Sequence, residues 1–188
     1  MEIVERLWMR NFDINKPSDD GLFPIHYAAK SNNSEVIKFL AEKGCDINSN
    51  VNGITPVSIA LQNSPDVLDY LLSQNVDINF IIDEDKTPLI DATIRKKPEI
   101  VKAILKHFEI DKDDINQSDS LGWTPLLFAA SNGSFEICKM LIQKGADVNC
   151  HSSHGFSPLM AARNRGFPEI YSLLEKNGAK KLFPNSSE

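Results

Sequence analysis

Four histidines and three cysteines are the side chains of this 188-residue chain best suited to catalysis or metal binding. Cys150, His151 and His154 have metal-like spacing, but zinc usually takes four ligands and no fourth one stands nearby in the sequence. The chain has no Gly-rich phosphate loop, no Gly-x-Ser-x-Gly elbow and no paired-carboxylate motif. We therefore expect no catalytic residue, no metal and no cofactor, and we expect a protein that is not an enzyme.

The composition is that of a folded protein, with 41% hydrophobic, 24% charged and 8% aromatic residues. A net charge of −6 argues against nucleic acid as the principal ligand, because nucleic-acid binders usually carry a concentrated basic surface. Residues 1–6 do not resemble the start of a signal peptide, and no apolar stretch approaches the roughly 20 residues that span a bilayer. The odd number of cysteines, Cys45, Cys138 and Cys150, indicates reduced thiols in the cytoplasm or nucleus.

The histidines and cysteines must be positioned by short helices and the loops between them, because a proline-led motif that opens a short helix recurs five times. The prolines are separated by 32, 32, 37 and 33 residues, at Pro24, Pro56, Pro88, Pro125 and Pro158. In four copies Thr or Ser comes directly before the proline, which places a hydroxyl at the helix N-cap and proline at the first helical position. A second helix follows each, predicted to begin with an acidic first turn at Glu35, Asp66, Glu99, Glu136 and Glu169.

A second motif runs in step with the first. It is an Asp-apolar-Asn triplet that begins at Asp13, Asp46, Asp77, Asp114 and Asp147. The second helix of each repeat is predicted to end at a residue type that accepts a left-handed C-cap, namely Gly44, Gly145 and Gly178, with Asn75 and Asn11 in the same place. Two motifs in phase at a period near 33 residues indicate an array of stacked repeats rather than a conventional globular core.

This arrangement of helix, tight turn, helix and loop, with Thr-Pro-Leu and Gly-Ala-Asp-Val-Asn signatures, resembles the ankyrin repeat. The match is best over residues 122–149. The resemblance implies an all-α ankyrin-repeat solenoid of helix-turn-helix units with projecting β-hairpin loops, and a structural hydrogen bond for His26. We expect a single domain over residues 1–180: an N-terminal half-repeat (1–15), five repeats (16–48, 49–79, 80–116, 117–149 and 150–178) and a short tail (179–188).

The resemblance also implies a function, because ankyrin arrays bind proteins through a concave face of hairpins and inner helices. We expect a monomeric scaffold, adaptor or inhibitor that binds a protein, not nucleic acid, and does not insert into membranes. The alternatives are a regulatory subunit or assembly chaperone of a kinase or proteasome-type complex, and an enzyme with a cryptic site. The predicted contact residues are Leu22, Ile54, Lys86, Arg95, Leu121, Trp123, His154, Phe156 and Arg165.

The third repeat departs most from this pattern. It carries Asp85 where the other hairpins have glycine, and its preceding loop, residues 80–84, is unusually apolar. Four additional residues near His107 predict either one more helical turn or a bulged loop. Asp91 is predicted to face the packed side, paired with Arg95 at the i+4 position as a local defect or as a specificity device.

Two further alternatives stay open at the sequence level. Trp123 and Phe156 either anchor a partner or cover the bases of their hairpins. Asn48, Asn79 and Asn149 resemble ankyrin asparagines that become hydroxylated, although we favour hydrogen bonding within the hairpin turn as their role.

Overall fold

The computed structural model describes residues 13–74, 76, 78, 85–107 and 115–181. Within these ranges it contains ten helices in five consecutive pairs, which confirms the predicted all-α repeat architecture. The pairs are α1 (Pro24–Lys30) and α2 (Ser34–Glu42), α3 (Pro56–Asn63) and α4 (Pro65–Ser73), α5 (Pro88–Ile94) and α6 (Pro98–His107), α7 (Pro125–Ser131) and α8 (Phe135–Gln143), and α9 (Pro158–Arg165) and α10 (Pro168–Lys176).

The chain divides into two compact units, one ending at Ile78 and the other starting at Asn79. In the first unit, α1 packs against α3 and α2 against α4. In the second unit, α5, α7 and α9 form one layer, and α6, α8 and α10 form the other. The single-domain organisation and the repeat boundaries remain predictions. Residues 1–12 of the predicted half-repeat, the loop at 80–84, residues 108 and 109 of the predicted additional turn and most of the tail lie outside the described residues.

The predicted hydroxyl caps are confirmed at four helix starts. The side-chain oxygens of Thr55, Thr87, Thr124 and Ser157 each accept a backbone N–H bond at 3.2 Å from the third residue of the following helix. The first repeat has Phe23 at this position, which lacks a hydroxyl. There the backbone N–H of Phe23 instead donates to Nδ1 of His26 at 3.2 Å. Each repeat therefore starts its first helix at the place that the proline predicts.

Both helices of each pair contribute large apolar side chains to the core, such as Ile25 and Leu126 from first helices and Ile37 and Leu141 from second helices. The first helices also bury alanines such as Ala29, whose small side chains allow neighbouring helices to approach closely. This pattern places the apolar stripe of each short helix inside its unit and leaves the turns at the surface.

The turn between the two helices of a pair uses left-handed backbone at its tightest point. Gly133 has a φ of +72°, and a Cβ added to it would lie 2.6 Å from the ring of Phe167 in the next repeat. Only glycine fits under that ring without displacing it. In the third repeat the same place is taken by Lys96, whose φ is +54°.

The predicted hairpins are tight turns rather than extended ribbons. Among the described residues, Val51 and Ile54 form an isolated antiparallel bridge and no longer strand is present. The other turns close through pairs of backbone bonds, such as Ser152 N to Phe156 O at 3.0 Å and Gly155 N to Ser152 O at 2.9 Å. Asp85, which replaces the hairpin glycine, has a φ of +68° and so adopts the left-handed backbone of the glycines in the other turns.

Candidate protein-binding surface

The predicted contact residues fall into two groups. Leu22 and Ile54 belong to the first unit, and the second unit contains the other seven, namely Lys86, Arg95, Leu121, Trp123, His154, Phe156 and Arg165.

Two neighbouring turns of the second unit are joined by direct hydrogen bonds. The backbone N–H and the side-chain hydroxyl of Ser153 both donate to the carbonyl oxygen of Leu121, each at 2.9 Å. Gly122 lies so close to the following turn that a Cβ there would lie 2.9 Å from the backbone nitrogen of Ser153. The two turns therefore form one rigid ledge, which presents side chains from residues 121–123 and 153–156.

The ledge exposes two large apolar side chains. Leu121 is 52% exposed and Phe156 is 42% exposed. The carbonyl oxygen of Leu121 accepts the bonds that join the two turns, and that of Phe156 accepts the N–H of Ser152 within its own turn. Because exposed apolar side chains on a rigid frame bind a partner with little loss of conformational entropy, this pair is the part of the ledge best suited to contact another protein.

Trp123 differs from this pair. It is half-buried, and its ring packs against that of Phe128 on α7, with centroids 5.0 Å apart and planes inclined by 40°. Of the two roles that the sequence allowed for Trp123, this contact favours covering the base of the turn. An alanine at this position would remove packing from α7 as well as any contact with a partner.

Asp91 and Arg95 form the predicted pair on α5. Nε of Arg95 donates to both carboxylate oxygens of Asp91, at 2.9 and 2.7 Å, which confirms the i+4 pairing. The side chain of Asp91 is 17% exposed and is therefore largely covered, whereas Tyr27, which occupies the same helix position in the first repeat, is 46% exposed.

The last turn does not gather its Cys and His residues into a ligand set. Sγ of Cys150 lies 3.1 Å from the hydroxyl of Thr124, and burial raises the pKa of this thiol. His154 is exposed, with Nδ1 3.2 Å from the hydroxyl of Ser153. Throughout the described part of the chain, no three His, Cys, Asp or Glu side chains stand together as a metal site. Burial also raises the pKa of Cys138 to about 12, so this thiol is a poor nucleophile at neutral pH.

In the first unit, His26 joins two repeats. Its Nε2 lies 3.2 Å from the carbonyl oxygen of Ile54, and its Nδ1 accepts the N–H of Phe23. Because a carbonyl can only accept, the proton of the neutral ring sits on Nε2. His26 is thus a structural link between the first helix start and the next turn, as the resemblance implied.

The same unit exposes a polar cluster that sequence reasoning missed. The hydroxyl of Tyr27 donates to Oδ2 of Asp20 at 2.6 Å, and the hydroxyl of Ser18 bonds Oδ1 of the same carboxylate. These hydrogen bonds lower the pKa of Asp20 to about 2, and the bond from Ser18 has the largest effect. A Tyr seven residues after an Asp was the available signal, but it does not by itself indicate that the two meet.

The side chains of the triplet asparagines form bonds beyond their own repeat. Oδ1 of Asn149 accepts the N–H of Lys180 at 2.8 Å, and its amide donates to the carbonyl of Gly178 at 3.2 Å. Oδ1 of Asn116 likewise accepts the N–H of Asp147 at 2.8 Å. The expected bonding within the turn is also present, because the backbone N–H groups of Asn48 and Asn149 donate to Oδ1 of Asp46 and Asp147 within their own triplets. Asn79 lies outside the described residues.

The repeats of this chain match those of known proteins. A family model described as ankyrin repeats matches three times, over residues 1–81, 52–116 and 89–185. The chain is 36% identical to alpha-latrocrustotoxin-Lt1a of Latrodectus tredecimguttatus over 116 residues, which are 60% of this chain and 8% of that protein. It is 28% identical to the putative ankyrin repeat protein FPV031 of fowlpox virus, over 76% of this chain and 43% of that protein.

A third relative is the palmitoyltransferase AKR1 of Lachancea kluyveri, to which the chain is 28% identical over 154 residues. These residues make up 78% of this chain and 20% of that protein. The chain thus spans less than half the length of each of these three relatives. No helix in the described ranges is both long enough and apolar enough to cross a membrane.

Proposed function

The chain belongs to the ankyrin repeat family, and on this premise we propose that it is a non-catalytic protein-binding module that acts as a scaffold, adaptor or inhibitor. The observation that carries the proposal is the ledge of the second unit, where Leu121 and Phe156 are exposed on two turns that hydrogen bonds hold together. The partner contributes an apolar side chain that covers this pair. Desolvation of two side chains of this size is a typical source of interface affinity.

Charge at the other end of α9 from the ledge supports a preference among partners. Arg163 and Arg165 are exposed in the last turn of this helix, which belongs to the same layer of the unit as α7. Arginine binds carboxylates with well-defined geometry. We therefore infer a partner segment that combines an apolar anchor with at least one carboxylate. The three cysteines are free thiols, and we propose the cytoplasm or nucleus as the place of action.

The test is affinity capture from native cells with quantitative mass spectrometry. The variant L121S/F156S removes the exposed apolar pair but leaves Trp123 packed on Phe128. The comparison variant is Ile54→Ser, which removes a predicted contact residue of the first unit that is also 42% exposed on a turn, so that the two units are tested separately. We expect a set of captured proteins that the double variant loses and Ile54→Ser retains.

Far-UV circular dichroism should show that both variants are folded. Equal recovery of every captured protein by the wild type and the double variant would refute the role of the ledge. A turnover screen that detected reaction chemistry in the purified chain would refute the non-catalytic part of the proposal.

A further inference from the structure

A groove separates α6 and α8 on the opposite layer of the second unit from α7 and α9. It has a volume of about 340 Å³ and is lined by Lys102, Leu105, Lys106, Met140, Gln143 and Lys144. Leu105 is 3% exposed and forms part of the floor, and the half-buried side chain of Met140 faces it from α8. The groove shares no residue with the ledge described above.

The charge of this groove is opposite to that of the chain. The whole protein carries a net charge of −6, yet three of the six lining residues are lysines and none is acidic. Lys102 and Lys144 are exposed. In the portion of the chain that the structure describes, neither of these two ammonium groups takes part in a salt bridge. Two unpaired positive charges therefore flank an apolar floor.

We propose that this groove docks an acidic segment of a partner protein, in which one apolar side chain is flanked by carboxylates. The apolar side chain would lie over Leu105 and Met140, and methionine is well suited to adapt its shape to such a contact. The flanking carboxylates would pair with Lys102 on α6 and with Lys144 at the end of α8. Lysine stems are long enough to follow the ligand while their charges remain partly hydrated.

The observations favour an acidic peptide over the two other polyanions that bind lysines. Membrane-binding basic clusters usually use four to eight Lys or Arg residues and no concave apolar floor. A nucleic-acid surface is a broader basic stripe, whereas the exposed acids Glu99 and Glu136 stand on the same two helices as the groove lysines. An apolar floor between two charges fits a side chain with carboxylates on either side.

Fluorescence anisotropy on the intact chain tests the proposal. The probes are fluorescein-labelled peptides in which one leucine, methionine or phenylalanine is flanked on both sides by glutamates. The groove variant is K102Q/K144Q. The matched control is K139Q/K176Q, which removes the same charge from α8 and α10 at residues that do not line the groove.

We expect at least one peptide to bind with about fivefold lower affinity to the groove variant and with less than a twofold change to the control, because exposed ion pairs contribute about 0.5 kcal/mol each. Met140→Ala should weaken binding of the same peptide, and replacing the glutamates of the peptide by glutamines should weaken it at least fivefold. The proposal is overturned if no peptide binds, or if both lysine variants lose affinity equally. It is also overturned if vesicles containing phosphatidylserine or a single-stranded oligonucleotide bind through Lys102 and Lys144 more tightly than any peptide.

Discussion

Lys96→Gly should stabilise the protein. Lys96 follows the C-cap of α5, with its N–H bonded to the carbonyl of Thr93 at 3.1 Å and that of Lys97 to the carbonyl of Ala92 at 3.0 Å. This bonding pattern requires a left-handed residue, and Lys96 supplies it with a φ of +54°. The equivalent residues of the next two repeats are Gly133 and Gly166, with φ values of +72° and +75°.

The size of the effect follows from two opposing contributions. A left-handed backbone costs an L-residue about 1–2 kcal/mol through the contact of its Cβ with the following carbonyl oxygen. Glycine avoids that contact but loses about 0.5–1 kcal/mol more backbone entropy on folding. The difference is a gain of about 0.5–1 kcal/mol. The side chain of Lys96 is exposed, so its removal should leave the packing unchanged.

Equilibrium urea unfolding followed by far-UV circular dichroism measures this difference. With a slope of about 2 kcal/mol/M, the midpoint of Lys96→Gly should rise by about 0.2–0.5 M. Lys96→Ala is the control, because it removes the charge and the stem but keeps the Cβ. Its midpoint should stay close to that of the wild type. If alanine raises the midpoint as much as glycine does, the gain comes from charge or side-chain entropy and the backbone argument is wrong.

Three other perturbations test separate contacts. His26→Ala should lower the free energy of unfolding by about 1–3 kcal/mol, because it leaves two backbone groups without their partner; a loss below 0.5 kcal/mol in urea unfolding would contradict this role. Gly133→Ala should cost about 2–4 kcal/mol, from net left-handed strain plus collision with the phenyl ring above it, whereas Gly166→Ala, with the same backbone and no atom within 4 Å, should cost only about 0.5–1 kcal/mol. Equal losses for the two variants would show that the phenyl ring of Phe167 moves aside without a measurable cost. Tyr27→Phe should raise the pKa of Asp20 from about 2 toward its ordinary value, as followed by carboxyl NMR during an acid titration, and an unchanged midpoint would exclude the hydroxyl as a cause. Because the folded pKa of Asp20 is lowered, its contribution to stability is present above the ordinary pKa and is lost as the pH falls from about 4 to 2.

Local chemistry made the repeat architecture predictable. A hydroxyl before a proline caps a helix regardless of what packs on it, so Thr55 and Ser157 mark their helix starts in the sequence alone. Gly145, at the end of α8, is similarly local, because the left-handed bond pattern that it completes involves only its own helix. The pair of Asp91 and Arg95 was also predictable, since both residues stand on one helix face.

The surface of the protein was not predictable in the same way, because exposure depends on the neighbouring repeat. Tyr27 and Asp91 share a helix position, which the sequence suggested was packed, yet the tertiary structure leaves the tyrosine near the surface. The phenyl ring over Gly133 comes from 34 residues further along the chain. The groove at Lys102 exists only because α6 and α8 lie side by side. The sequence alone thus determined the helices, their ends and the family, because these rest on contacts within a few residues. Tertiary packing between repeats decided which side chains remain available to a partner.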